Sequence, residues 1–357
     1  MAHIFGREIS RKELLEKTGN PEQAFGIRPV EYFSGNANLV KAYDVRTGGG
    51  LEFSVNENKC LDIYEMRYRG INLGFLSKAG LHSPYNADQR GLEYRYSQGC
   101  GMLYTAGLAN VGAACSDDGD GQYYHGMIKN KAAQNVCAKG EWQGDDYKIT
   151  IAGDIREAAF YGRNLLMHRE ITAWAGRNRL VINDTIENQD FAEDEIMLLY
   201  HVNAGYPLLD EGAEYIAPVK EIEPMSEYSR ELLGEYGKMT APICGADELL
   251  YCIRTGKDKN GYSAAALIND RLGIGLYVKY TADTLDYMVE WKSMKAGDYA
   301  LGLLPSTCRP LGRLEARKKG DTKKIKPFEK MRMQVEIGVL SSQEEIEKFK
   351  DYIALMD

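Results

Sequence analysis

Only five histidines occur in the 357 residues, and two of them stand where an imidazole can work. Histidine is the side chain whose ordinary pKa lets it give or take a proton near neutrality. His125 lies in Gln122-Tyr123-Tyr124-His125-Gly126-Met127, after the polar loop 116–121. The glycine beside it suggests room for a ligand to approach the ring. His201 lies in Leu198-Leu199-Tyr200-His201-Val202-Asn203-Ala204-Gly205-Tyr206-Pro207, near the end of an apolar strand. Strand ends give working side chains a rigid base. Of the others, His3 belongs to the terminus, His82 to a turn-like stretch, and His168 to a strand pattern where a structural role is expected. The phenols Tyr124 and Tyr200 adjoin the two imidazoles, but as bases they would need strongly perturbed pKa values.

Other chemistries lack their patterns. No HxxxH or HxxH pair supports a metal, and none is expected. The loop Asp117-Asp118-Gly119-Asp120-Gly121 puts Ser116 first and Met127 last in a calcium-loop alignment, so it reads as a turn. Gly48-Gly49-Gly50 and Gly99-Cys100-Gly101 have no following helix and no GK[ST], so they are not phosphate cradles. No GxSxG elbow occurs. The net charge of -8 argues against nucleic acid. Arg313 to Lys326 is a basic run, expected to be a solvated loop or strand edge. Seven cysteines without a CxxC pair read as reduced, mostly buried thiols. Asn183-Asp184-Thr185 reads as strand sequence rather than a glycan acceptor. No apolar run is long enough to span a membrane, and Met1 to Asn20 has no signal-like core. A cytoplasmic protein is expected.

The elements that must position these residues are β-rich. Runs such as Leu51 to Val55, Tyr147 to Ile151, Leu180 to Ile186, Ile196 to Asn203, Glu248 to Arg254, Ser263 to Ile268, Ile274 to Tyr280, Leu285 to Trp291 and Met331 to Val339 are separated by turn residues. In Tyr147-Lys148-Ile149-Thr150-Ile151 and in Met331 to Ile337 the apolar side chains fall on one face, as an antiparallel sheet requires. No strand–helix–strand rhythm and no repeat appears. The expected architecture is an all-β sandwich forming one domain over 1–357, with short helices at both ends. The leader, about 8–18, has a capping box at Ser10-Arg11-Lys12-Glu13. The C-terminal helix, about 342–356, carries Ser341 and Glu344 as its box and a stripe of Ile346, Phe349, Ile353 and Met356.

Over nearly its whole length the chain resembles the aldose 1-epimerase (galactose mutarotase-like) superfamily. The likeness rests on Cys60-Leu61-Asp62-Ile63, the run Gly101 to Leu108, His125-Gly126, the block Leu198 to Glu211, and Gly302-Leu303-Leu304-Pro305 with Gly312-Arg313. It implies a β-supersandwich that binds a free monosaccharide or related sugar, uses no cofactor, and interconverts anomers by acid/base ring opening. It implies His201 as the acid, His125 as the helper at the ring oxygen, and Arg95 as the grip on hydroxyls. Asn203 and Trp291 belong to the same expected substrate site. A dimer is one arrangement open to it. Leu304 stands where the resemblance calls for a catalytic Glu. Either another carboxylate replaces it, Glu290 beside Trp291 being the nearest, or the protein binds sugar without catalysis.

Overall fold

The computed structural model describes residues 2–117 and 120–357, with the side chains of residues 2, 3 and 120 outside the description. Asp118 and Gly119 of the acidic loop, and the imidazole of His3, therefore lie outside the described residues. The elements that build the site are, in chain order, a helix Arg11–Thr18 (α1) and the strands Asp62–Tyr68 (β1), Leu103–Leu108 (β2), Asn164–Trp174 (β3), Arg179–Asn188 (β4), Asp194–Ala204 (β5), Leu249–Thr255 (β6), Tyr287–Lys295 (β7) and Asp298–Ser306 (β8). Helix Arg313–Lys318 (α2), strand Lys330–Leu340 (β9) and helix Gln343–Ala354 (α3) complete them.

Every strand ladder between these elements is antiparallel. An eight-stranded sheet runs from Gln134–Gln143 through Asp146–Ala158, β3, β4, β9, Ile274–Thr281 and Tyr262–Asn269 to Glu214–Ile216. A second sheet orders Val219–Pro224, β6, β7, β8, β5 and Lys323–Ile325, with β2 also paired to β5. A third, of five strands, contains β1. The nine runs expected to be strands all lie on strands, with ends moved by up to several residues.

Alternation on β5 decides what the site can contain. Ile196, Leu198, Tyr200, Val202 and Ala204 join the largest apolar cluster. Met197 and Leu199 join a separate cluster on the other face. Such a strand is buried on both sides, which is why its sequence is nearly continuously apolar. Because side chains alternate strictly, His201 and Asn203 share the face of Leu199.

The terminal helices form as their caps predict. Ser10 and Glu13 make the reciprocal box of α1. At the other end the cap lies one residue later than expected: Ser342 accepts from Glu345 N–H, while the Glu345 carboxylate accepts from Ser341. Ile346, Phe349, Ile353 and Met356 are buried against Ala264, Ala266 and Ile268.

In the basic run Arg313 to Lys326 the side chains of Arg317, Lys318, Lys319, Lys324 and Lys326 are exposed, and Lys323–Ile325 is an edge strand, as expected, but Arg313 departs from that pattern. Arg313 is 3 % exposed and bonds to Asp117, Asp194 and two carbonyl oxygens. Its acidic partners come from distant strands, Cys115–Asp117 and β5, so its surroundings were not visible in the run itself. Of the seven free cysteines, Cys60, Cys252 and Cys308 are buried, and the other four are partly or fully exposed.

The sheets are tied by one buried cation. Arg169 on β3 is 0 % exposed. Its guanidinium donates to Asp184 on β4 at 3.0 and 2.7 Å, to Asp62 on β1 at 2.9 Å and to Cys60 O at 3.0 Å. Asp184 also accepts from Tyr200 Oη at 2.7 Å, and Asp62 from both the N–H and the hydroxyl of Thr105. Removing one partner of a buried ion network strands the others. Arg169→Met should therefore lower unfolding free energy by about 3–5 kcal/mol in urea titrations. A loss below about 1 kcal/mol would show that the network does not hold the sheets.

Candidate functional site

His201 faces Tyr104 directly across the β5–β2 ladder. Their rings stack at 4.2 Å and 18°. His125 reaches the same place from its loop, edge-on to His201 with ring centroids 5.8 Å apart and planes at 84°. The two imidazoles are thus brought together, each under 9 % exposed. Trp291 stands 5.4 Å from His201, and Phe75 packs against the Trp291 ring. Tyr124 sits edge-on to His125 and stacks on Tyr94 at 4.6 Å.

The loop that carries His125 is held by its backbone. His125 N–H donates to Gly112 O, and Gly112 N–H donates back to His125 Nδ1 at 3.2 Å. Asn110 braces the same turn through Ala113 O and Tyr123 O. Gly126 is required by packing rather than by ligand approach. Its φ is +69°, and a Cβ there would lie 2.1 Å from Gly107 O.

These partners set the tautomers. Nδ1 of His125 accepts, so in the neutral ring Nε2 carries the proton. Asn203 donates through Nδ2 to Gly101 O and His201 O, which leaves its Oδ1 as an acceptor. That oxygen lies 2.5 Å from His201 Nδ1, so Nδ1–H donates and Nε2 keeps a lone pair. One imidazole offers a proton donor and the other a proton acceptor. Burial pushes His201 down to about 3, with the Asn203 bond opposing and the Lys129 ammonium adding to the shift. Burial also holds His125 well below the usual imidazole range, helped by His201 and Lys129. Both rings are neutral at physiological pH.

Arg95 lies on the rim. It is exposed on a short 3-10 turn, and the groups that act on it are Tyr94, Tyr124 and Glu248. Asn203 is fully buried and orients His201 rather than presenting itself to a ligand. Glu290 is not in the site. It pairs with Leu303, which faces the main core, whereas Trp291 beside it points to the opposite face. Glu290 is 0 % exposed, and among the described residues neither carboxylate oxygen has a hydrogen-bond partner. Burial raises its pKa well above the carboxylate range, with Lys292 opposing. It is a neutral core acid and neither a base for the cleft nor an exposed strand residue.

Leu304 does lie on the histidine side of the sheet, in one apolar cluster with Tyr104, Leu199 and Val289. Gly302 opposite Trp291 leaves room for the indole: a Cβ there would lie 2.7 Å from Leu304 Cδ2 and 3.2 Å from Trp291 Cβ. The phenols do not serve as bases. Tyr200 points away, into the Arg169 network, and burial raises both Tyr200 and Tyr124. His82 bonds weakly to Gly80 O, and His168 pairs with Asp154 on the outer face of β3. Among the described residues no group of three or more His, Cys, Asp or Glu side chains is placed to hold a metal. No helix among them is long and apolar enough to cross a membrane.

Three site residues escaped the sequence reading. Tyr104 lies inside the quoted run Gly101 to Leu108, and its signal was alternation with Thr105. Glu248 accepts from Trp291 Nε1 at 2.8 Å, at the very start of β6. Lys129 is 3 % exposed, 5.5 Å from the Tyr94 ring and 5.8 Å from the Tyr104 ring, and burial lowers it to about 7. Nothing in Ile128-Lys129-Asn130 marks it out. Nitrogen-15 NMR of the histidines should find His201 in the Nδ1–H form and His125 in the Nε2–H form. Neither ring should titrate between about pH 5 and about pH 8. A midpoint near the free-histidine value for either ring would contradict the site as described.

Several solved structures share this protein's architecture. A Klebsiella pneumoniae protein provisionally assigned as an aldose 1-epimerase superposes with a TM-score of 0.90 at 21% identity, over 94% of this chain and 90% of that one. A galactose mutarotase-like protein from Clostridium acetobutylicum gives 0.62 at 14% identity, over 89% and 99%. Galactose 1-epimerase from Lactobacillus acidophilus gives 0.56 at 13% identity, over 89% and 100%. The fold is therefore the all-β, galactose mutarotase-like sandwich. No curated protein matches the chain. Residues 37–339 match the model of a family described as a domain of unknown function, DUF4432, and the chain belongs to that family.

Proposed function

We propose that this protein binds a free sugar at the His125–His201 pair and exchanges its anomers. The observation that carries the reading is the reciprocal pair of neutral imidazoles, one donor and one acceptor, 5.8 Å apart in an aromatic wall. It suits a reaction that moves one proton between two oxygens on the same carbon. His201 Nε2 takes the proton of the anomeric hydroxyl. The O–H electron pair becomes the new carbonyl bond, and the bond from the anomeric carbon to the ring oxygen breaks. Its electrons stay on the ring oxygen, which receives the proton from His201. Rotation about one carbon–carbon bond and reclosure by the reverse steps give the other anomer. His125 Nε2–H donates a hydrogen bond to the reacting oxygens, and Arg95 holds hydroxyls at the rim.

In this scheme His201 is an acceptor that then becomes the donor, rather than the standing acid that the resemblance implies. Its lowered pKa leaves Nε2 without a proton in the resting ring, so that nitrogen can begin only by accepting one. A separate carboxylate base becomes unnecessary, which fits the leucine at 304. The reaction balances without a cofactor. Seven unpaired cysteines support a reducing, cytoplasmic setting.

Saturation-transfer NMR of anomer exchange across a panel of aldoses tests the proposal. At least one sugar should exchange faster than in buffer, and His201→Ala should remove about 10²–10⁴-fold of that rate. The kcat/KM should stay level from about pH 8 down to about pH 5, since the neutral form of His201 persists down to about 3. A rate that climbs steadily as pH falls would assign His201 the acid role instead.

A binding protein without turnover is the second reading, favoured by the apolar setting of Leu304. Calorimetric sugar binding without exchange would establish it. Under the first reading Leu304→Glu adds no activity and lowers the melting temperature, because a carboxylate there is buried among apolar side chains. A gain in exchange rate from Leu304→Glu would instead mark a scaffold that lost its base.

A further inference from the structure

A large cavity of about 1080 Å³ lies apart from the histidines, and none of its lining residues belongs to their cleft. Three turns and the C-terminal helix form its walls: 47–50 with Gly48-Gly49-Gly50, 69–70 after β1, 176–179 between β3 and β4, and α3. The glycine triplet finds its reason here. A Cβ on Gly49 would lie 2.8 Å from Gly176 O, and one on Gly50 would lie 2.9 Å from the Tyr68 ring. The turns close on one another only because those side chains are missing.

The lining is cationic on an anionic protein. Six Arg and Lys side chains face three Glu, in a chain of net charge -8. Most of these cations are engaged: Arg179 pairs with Glu336, Lys348 with Glu344, Arg177 with Asp146 and Lys279 with Asp258. Arg69 is different. Among the described residues its guanidinium makes no hydrogen bond and no ion pair, and it rests 5.1 Å over the Tyr68 ring. It occupies the first place of the tight turn Arg69-Gly70 with φ +48°, a conformation that favours Gly or Asn. Arg46, also in the lining, has a single side-chain hydrogen bond among the described residues, to the Glu22 carbonyl. Beneath the lining, the Tyr68 hydroxyl and Asn178 Oδ1 are sealed from solvent, Tyr68 within the main core and Asn178 Oδ1 against Gly49.

We propose that this cavity is a second binding site, for a small anionic sugar whose phosphate or carboxylate is held by Arg69 and Arg46. A guanidinium fork matches either group in two-pronged fashion. Tyr277 and Phe349 in the lining supply apolar surface on which a sugar ring can rest. The site is independent of the histidine pair.

Isothermal titration calorimetry on the full chain tests this with four probes: glucose 6-phosphate, glucuronate, glucose and inorganic phosphate. Saturable binding of glucose 6-phosphate or glucuronate is expected, and which of the two binds tells phosphate from carboxylate. Glucose and inorganic phosphate should bind at least about tenfold more weakly than that probe. Arg69→Met should weaken the anionic probe by about tenfold or more, while His201→Ala leaves it unchanged. Arg69 is exposed on a turn, so its replacement keeps the fold, and circular dichroism checks this. The proposal falls if neither anionic sugar binds. It also falls if binding survives Arg69→Met combined with Arg46→Met, if inorganic phosphate alone binds as well, or if His201→Ala abolishes binding.

Discussion

The fold around the site depends on a charge placed where there is no water. Arg169 crosses from β3 to β1 and β4, and its partners reach β2 and β5 through Thr105 and Tyr200. Those last two residues are the chain neighbours of Tyr104 and His201. Their side chains point backward into the core, while the site residues point forward. The network thus fixes from behind the β2–β5 register that stacks Tyr104 on His201. A slip of one residue would send His201 inward and Tyr200 into the cleft. A hydrophobic core alone would resist such a slip less, because both faces of β5 are apolar.

The chemistry of the histidine pair follows from its burial. Two imidazoles set among Tyr104, Tyr124 and Trp291 lose more by charging than they gain from any neighbour. The polar contacts they do keep are orienting ones: Asn203 for His201 and the Gly112 amide for His125. Each fixes one ring nitrogen and leaves the other for work. Lys129 behind the aromatic wall pushes the same way, since a nearby cation further disfavours imidazolium. Leu304 continues the apolar wall rather than interrupting it.

Much of this was legible from alternation. The strands showed themselves wherever one face was apolar and the other wet, as in Met331 to Ile337. The placement of His201 near the end of a buried strand was equally plain. The same rule, applied to Glu290-Trp291, would have separated them: adjacent strand residues point to opposite faces. Chain proximity to Trp291 stood in for that argument, and Glu290 proved to be a core acid. Other features had no local signal. Arg313 is buried because Asp117, Asp194 and Glu195 come to it from strands far along the chain. Lys129 is buried because Tyr94 and Tyr104 cover it. The strand Gly26–Glu31 was missed because Pro29 and three charged or small residues break its pattern, and it is only partly buried.

The motifs quoted for the resemblance divide by what they do. Cys60-Leu61-Asp62-Ile63 supplies a carbonyl and a carboxylate to Arg169, so it carries fold. The sequon triplet around Asp184 does the same. His125-Gly126 carries both: the glycine fits against β2, and the histidine faces the cleft. Only at His201 does a quoted block place its chemistry on the rigid part of the sheet while its neighbours hold that sheet together. The histidine pair therefore joins a loop-borne ring to a strand-borne ring. The loop-borne one is locked by backbone hydrogen bonds, because no strand partner is available to it. Gly112 meets His125 at both its backbone and its ring, which makes that turn the second fixed point of the site.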